Sequence, residues 1–352
     1  LGTFLVSPFV FLDNFSPASR HYFTNKTRFP IADAHYSMGF LNLYKITRRK
    51  KYLEVSNTFL KSLLNSSIKS DNTISWGYPF NWQTSWGNYS KGTPLITTTP
   101  YCLEAFIDYN RHAKGNIYEK EIDLIINAIF GTFPFSSKGN AVKSSNYSNL
   151  LDSNDMVINA SSYRAYSLAL SFLFKRENFY LVDSKKYINF VLECQNLDGS
   201  WYYSKQYSST RFIDHIHTCF VLKNLIKTNE IIKSKEVDEA IRRGIYYYQE
   251  NLFDSEGIPI PFSVKHRMQT SLREIYDFAE SINLLTTYNF SDNKQKIGKI
   301  INYLDRYMIT DSGYFKTRKT IFNKYNTVPY HRWAQSQTFK SLTELLNKIC
   351  AE

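Results

Sequence analysis

Apolar residues recur at helical spacing in window after window of this chain. Ile297, Ile300, Ile301, Leu304, Tyr307 and Met308 form one stripe on a helix starting near Ser291 or Asp292. Ile275, Phe278, Ala279, Ile282 and Leu285 form another, and Phe339, Leu342, Leu345, Leu346 and Ile349 a third. Strand-like alternation is almost absent. The pattern predicts helices over 31–47, 51–66, 99–112, 117–131, 159–175, 183–195, 213–227, 235–251, 271–287, 292–308 and 333–349, with a further turn allowed in the N-terminal stretch.

Successive helices differ in kind. The first of each pair is apolar nearly all round, as in Tyr163 to Phe174 or Ile216 to Ile226, and the second carries a single stripe opposite its charges. Helices apolar all round are buried, whereas striped ones lie outside. Between pairs runs a glycine-bearing turn, seen as Asp198-Gly199-Ser200-Trp201, Asp254-Ser255-Glu256-Gly257 and Asp311-Ser312-Gly313-Tyr314. The glycines are 58 and 56 residues apart, the length of one helix pair with its two turns. Six such pairs nearly use up the chain, so the expected fold is an all-α (α/α)6 toroid of about six helix hairpins. It is expected as one domain over residues 1–352, with roughly the first 25 residues as an irregular arm, since no Pro/Gly/Ser-rich linker divides it.

That arrangement has a chemical consequence. Each outer helix ends in a glycine turn leading to the N-terminus of the next inner helix, so turns and N-termini gather at one end of the ring. Free N–H groups there favour an anionic ligand.

At 352 residues, 43% hydrophobic and 16% aromatic, the chain can bury a substantial core. Cys102, Cys194, Cys219 and Cys350 are scattered, with no CxxC spacing, and are expected as small core residues in a reducing, cytoplasmic setting. Leu1 to Leu12 is apolar but lacks the charged start of a signal peptide and is too short to span a bilayer. The formal net charge of +12 suits an acidic partner, and its only run, Arg48-Arg49-Lys50-Lys51, reads as a solvated turn. No basic stripe marks a nucleic-acid binder. Neither GxGxxG, a P-loop nor GxSxG is present, and His215 and His217, at i and i+2, point to different helix faces, so no cofactor and no metal site is expected.

Candidate chemistry concentrates at the turns. Residues 76–99 hold Trp76, Tyr78, Trp82, Gln83 and Trp86, an aromatic stretch with interleaved amides. Such a stretch is either a loop packed by its own rings or a floor for sugar C–H faces and hydroxyls. Asp214 and His217 are i and i+3 at the start of the fourth inner helix and share a face. A carboxylate there either caps the helix or fixes the histidine's tautomer for general-base work. The last inner helix opens with Tyr330, Arg332, Trp333 and Gln335: an acid or base, a bidentate carboxylate clamp, a stacking ring and an amide. Asn159 and Tyr163, Asp33 and His35, and Tyr276 and Asp277 occupy the equivalent places of other inner helices, and Trp201 closes its own turn.

The run from Gln195 to Trp201 resembles the loop repeats of terpenoid-cyclase and prenyltransferase toroids. Where the class II cyclases carry D-x-D-D-T this chain has Asp214-His215-Ile216-His217-Thr218, and Asp214 with Cys219 does not make the prenyltransferase zinc site, so neither lipid chemistry carries over. A closer resemblance covers about residues 30–345. Trp76-Gly-Tyr-Pro-Phe-x-Trp-Gln, Lys91-Gly-Thr-Pro, Asn159-Ala-Ser, Asp198-Gly-Ser-Trp, Ile213-Asp-x-x-His-Thr and Pro329-Tyr-x-Arg-Trp-x-Gln are similar to α/α-toroid proteins of bacterial exopolysaccharide and capsule clusters. The resemblance implies an acidic polysaccharide or oligosaccharide, or its lipid-linked precursor, as partner, and peripheral association with a membrane polysaccharide-synthesis complex. It fixes no reaction. Where that family tends to have histidine at the fifth inner helix, this chain has Tyr276, so no role transfers there.

Proton abstraction beside a uronate carboxylate, giving epimerisation or β-elimination, needs a base, an acid and a charge clamp. His217 with Asp214, Tyr330 or Tyr78, and Arg332 with Gln83 fill those roles. Glycoside hydrolysis needs two carboxylates about 5 to 9.5 Å apart, for which Asp277 or Asp33 would have to approach Asp214. A non-catalytic glycan-binding or assembly component is the third expectation.

Overall fold

The computed structural model describes residues 8–352 apart from 10, 13–14, 23–24, 85–86, 152–155, 207–210, 266–268 and 270. It contains α1 (Pro30–Thr47), α2 (Lys50–Asn65), α3 (Thr99–His112), α4 (Glu119–Gly131), α5 (Ile158–Lys175), α6 (Asn178–Glu193), α7 (His215–Ile232), α8 (Lys235–Asn251), α9 (Ile275–Thr287), α10 (Phe290–Tyr303) and α11 (Ser336–Ala351). The odd-numbered helices pack side by side in sequence order, and α11 packs back on α1 to close an inner ring. The even-numbered helices wrap it, giving the (α/α)6 toroid. Five hairpins plus α11 make up the ring, because no outer α-helix follows α11 among the described residues. Cys350, expected in the core, is therefore exposed, as are Leu346 and Ile349.

Closure depends on a glycine. A Cβ on Gly39 of α1 would lie 2.5 Å from the Phe339 ring of α11, so only the bare backbone admits the last helix. Four of the five hairpins turn tightly at the end away from the mouth through one left-handed residue, Arg48, Arg176, Lys233 or Asn289, and the longer α3–α4 connection has Gly115 at φ 87°. Arg48 to Lys51 are exposed in the first of these turns, as a solvated basic run should be.

The opposite connections share one turn. Gly199 N donates to Asn196 O, Gly257 N to Asp254 O and Gly313 N to Thr310 O. In each, the residue that accepts this bond also donates its own N–H four residues ahead, to Ser200, Ile258 and Tyr314. The glycines have φ of 91°, 81° and 79°.

Short strands, absent from the sequence reading, decorate these connections: β1 (Ile68–Ser70), β2 (Thr73–Ser75), β3 (Trp82–Gln83), β4 (Asn88–Tyr89), β5 (Phe135–Lys138), β6 (Val142–Ser145), β7 (Ile213–Asp214), β8 (Phe262–Val264), β9 (Ser271–Glu274), β10 (Arg318–Thr320) and β11 (Tyr325–Asn326). All pairings are antiparallel, including the three-stranded β11-β10-β9 sheet. At 271–274 a strand replaces the expected first turn of a helix, and π-helical turns occupy Leu304–Met308 and His331–Gln335.

The ring's interior is polar, contrary to its all-apolar look in sequence. Glu104 meets Lys227 at 2.6 Å and Tyr166 Oη at 3.1 Å, Glu344 meets Lys340 at 2.8 Å and Asn283, and Glu280 lies between Lys223 and Gln337. Burial alone would raise the Glu104 carboxyl, but the Lys227 and Lys340 charges with the hydrogen bonds from Lys227 and Tyr166 together outweigh it and lower it to about 2. These pairs leave about 10 Å3 of free space, room for one water. The ring is thus largely filled by these paired side chains below its mouth. No helix of the described residues is long and apolar enough to cross a membrane.

Candidate functional site

At the mouth, Asp214 is the N-cap of α7, and its Oδ1 accepts from His217 N at 2.9 Å. The same carboxylate's Oδ2 lies 2.6 Å from His217 Nδ1. A carboxylate only accepts, so Nδ1 carries the proton and Nε2 is left as the basic nitrogen. The two roles weighed for Asp214, cap and orienter, coexist in one side chain. His217 stands edge-on to Tyr203, at 4.7 Å between centroids, and to Phe220, at 5.6 Å. His215, two residues earlier, faces the other way: Nδ1 meets Ile260 O at 3.1 Å and Nε2 meets the Tyr248 and Ser281 hydroxyls. Burial lowers that imidazole to about 4.

Arg332 approaches the mouth from the π-helical turn before α11. Its guanidinium donates to Tyr78 Oη at 2.5 Å and stacks over the Tyr78, Trp333 and Phe29 rings at 4.2, 4.6 and 5.5 Å. No carboxylate pairs with it among the described residues, which leaves a half-buried cation with unspent donors.

Ring contacts, completed by electrostatic proximity, link the two groups. Tyr78 meets Trp82 at 5.3 Å, Trp82 meets Tyr147 at 5.8 Å, and Tyr147 has Tyr203, beside His217, among its electrostatic neighbours. On the other side Phe220 meets Tyr276 at 6.0 Å, and Tyr276 senses Arg332, Tyr78 and Asp214. Burial, then the Glu280 carboxylate, push the Tyr276 phenol well above its ordinary range, so it is a proton donor at neutral pH. Of the expected residues, His217, Asp214, Arg332, Tyr78 and Trp82 are therefore brought around one opening. Tyr276, to which no role transferred from the family resemblance, contacts Phe220 on the histidine side.

A side pocket of about 80 Å3 opens beside Tyr276, lined by Glu274, Arg318, Asn326, Tyr330 and Trp333. Tyr330 and Trp333 are thus at the site's edge. Gln83 is exposed on β3. Gln335 holds the Phe315 backbone through both amide atoms, at 2.8 and 3.2 Å, and is committed to the preceding turn.

Four expected sugar contacts are buried elsewhere. Trp76 and Trp201 each lie in the core with the indole N–H on a carbonyl in the last turn of an outer helix, Leu63 O at 2.8 Å and Val191 O at 2.9 Å. They tie down the last turn of an outer helix at repeat-equivalent places, a structural duty. Tyr163 is buried with its hydroxyl 2.5 Å from Tyr101 Oη. Asn159 is also buried, with its side-chain oxygen unpartnered. Trp86 lies outside the described residues. Asp33 is spent on Arg28 at 2.7 Å and Ser62 at 2.8 Å. His35 is wholly buried edge-on to Tyr101, and burial with the nearby Lys340 and Lys223 charges holds it neutral. Asp277 is buried, and desolvation with the Glu274 and Asp214 charges raises its carboxyl well above the usual range. No group of three or more His, Cys, Asp or Glu side chains suited to a metal ion occurs among the described residues.

A separate cleft of about 570 Å3 lies on the flank between the β1–β2 hairpin and the end of α4. Among the described residues Lys69 is its only charged lining side chain, so the mouth, with its histidine, arginine and phenols, is the better candidate.

No family model matches the chain, and no curated protein matches it in sequence. Solved structures match in fold. A cellobiose 2-epimerase from Bacillus thermoamylovorans superposes with a TM-score of 0.71 at 10% identity, covering 92% of this chain and 88% of that one. A polysaccharide lyase superposes at 0.63 with 14% identity over 97% and 95% of the two chains. A family 76 glycoside hydrolase from a bovine Bacteroides thetaiotaomicron strain gives 0.65 and 9% over 92% and 69%. At such identities the likeness shows the shared (α/α)6 toroid.

Proposed function

We propose that this protein is a carbohydrate-active enzyme that abstracts a proton beside the carboxylate of an acidic, uronate-containing glycan at the toroid mouth. Epimerisation and β-elimination share that step. His217 Nε2 takes the proton while Asp214 holds the ring and stabilises the imidazolium. Arg332 neutralises the substrate carboxylate, whose charge grows as the α-carbon loses its proton. Tyr276, or Tyr78 at the arginine, returns a proton. Trp82 and the neighbouring tyrosines offer sugar-stacking faces. The observation that carries the reading is an oriented histidine base and an arginine without a carboxylate partner among the described residues, linked through Tyr276, which contacts Phe220 beside His217 and lies within electrostatic reach of both Arg332 and Asp214. The solved structures of this fold that are named as an epimerase and a lyase support the class of chemistry as analogy.

Glycoside hydrolysis is the weaker alternative. Asp214 commits both oxygens to His217 and Asp33 both of its own to Arg28 and Ser62, so of the three aspartates the sequence offered only the buried Asp277 is left as a second acid. Incubation with uronate oligosaccharides in heavy water separates the readings. Deuterium at the carbon bearing the carboxylate, or new unsaturation, supports abstraction. New saturated reducing ends support hydrolysis. Binding with neither, unchanged in His217→Ala, leaves a non-catalytic glycan-binding component.

A further inference from the structure

Beside the mouth, the tip of the β10–β11 hairpin carries Ile321 and Phe322, consecutive apolar residues 44% and 49% exposed. The tip is held by its own backbone: Thr320 N donates to Lys324 O at 2.8 Å, Asn323 N donates to Thr320 O at 2.9 Å, and Asn323 takes φ of 60°. Phe322 meets Phe15 of the N-terminal arm at 4.8 Å between centroids, and Phe15 meets Phe11 at 4.4 Å. Phe9 and Phe11 are 60% and 61% exposed. Contiguous exposed aromatic surface of this kind marks an interaction site.

A basic collar surrounds it. Lys324 lies 5.5 Å from the Phe15 ring centre, and Lys316, Arg318 and Lys319 precede the tip. From residue 313 to 333 there is no Asp or Glu. Apolar side chains that enter an acyl boundary, ringed by lysines that meet headgroup charge, are what an anionic bilayer surface takes. Lysine is depleted from protein–protein interfaces, so the collar speaks against a protein partner.

We propose that this face docks the protein on an anionic lipid surface through Ile321, Phe322, Phe11 and Phe15, with Lys319 and Lys324 on the headgroups. β10 pairs with β9, which runs directly into α9 and Tyr276, so a docked molecule opens its mouth beside the lipid headgroups. The inference goes beyond the glycan chemistry and does not need it.

Co-sedimentation with phosphatidylcholine vesicles, alone or containing phosphatidylglycerol, tests it without any glycan present. The chain is expected to bind the anionic vesicles, to prefer them clearly over neutral ones, and to release as salt rises. Phe322→Ser is expected to weaken binding about tenfold or more. Lys319→Gln and Lys324→Gln are expected to weaken it about fivefold each. Circular dichroism of each variant confirms the fold. No binding, equal binding to both vesicles, or variants that bind like the parent would overturn the proposal. So would a dimer in light scattering that Ile321→Ser with Phe322→Ser dissociates while vesicle binding stays unchanged. Failure here leaves the mouth chemistry standing, since none of these residues belongs to it. Vesicle binding by a chain inert towards glycans would sink only the other reading.

Discussion

One carboxylate oxygen of Asp214 accepts from the His217 backbone at 2.9 Å while the other meets its ring nitrogen at 2.6 Å. Asparagine caps a helix as well as aspartate does, so Asp214→Asn separates the two duties. Stability should change by less than about 1 kcal/mol, whereas turnover should fall by about 10²–10⁴-fold, like that of His217→Ala. Thermal denaturation and deuterium exchange on the two variants check this. An Asp214→Asn protein of full activity would remove the histidine from the mechanism.

The Arg332–Tyr78 pair reads out charge recognition. Arg332→Gln should raise KM for a uronate oligosaccharide by about 10- to 100-fold, the cost of a lost charge-assisted pair, and leave neutral oligosaccharides little affected. Arg332→Lys should rescue poorly, because an ammonium cannot reproduce a fork stacked between rings. Equal losses on charged and neutral glycans would show that the arginine serves packing.

Gly199 and Gly313 share a turn but differ in surroundings. A Cβ at Gly199 would lie 2.4 Å from Arg243 O, whereas at Gly313 nothing lies within 4 Å. Gly313→Ala should therefore cost only the left-handed backbone strain, about 1–2 kcal/mol. Gly199→Ala should cost distinctly more, since helix α8 must also move. Urea unfolding of both variants measures the difference, and equal costs would mean the clash relaxes freely.

Acid should loosen the fold before it reaches the carboxylates. The buried His215 imidazole is lowered from 6.5 to about 4. Between those values the unfolded chain binds more protons than the folded one, so stability rises with pH there. Its contribution is fully present above pH 6.5 and is lost as pH falls through about 4, on the order of 3 kcal/mol. His35, lowered in the same sense, adds to it. Unfolding free energies across this window should fall on acidification, and less steeply in His215→Gln. A flat profile for the parent would contradict the burial of both rings.

The helices were legible because an inner helix and an outer helix bury different shares of their surface, and that difference is written as all-round against one-sided apolarity. The hairpins were not, since strands of two to four residues are too short to alternate. Helix α7 runs to Ile232, past the expected end at 227, because Lys227 is a buried partner of Glu104 rather than a polar stop. Helix α6 begins at Asn178, ahead of the expected 183, with Phe179 and Val182 exposed where a stripe would bury them. At the site, Asp214 and His217 are neighbours on one helical turn and could be paired from spacing alone. Arg332 and Tyr78 come from opposite ends of the chain, and only closure of the ring joins them. Trp76 and Trp201 looked like sugar platforms because an indole that caps a helix and one that stacks on a pyranose are the same residue in sequence.

The seam between α1 and α11 also dictates how the protein must be made. The surface of α1 around Gly39 is synthesised 300 residues before its mate, Phe339. Until then an apolar edge of the nascent molecule stays open to wrong partners, and maturation should be slow and sensitive to chaperone supply.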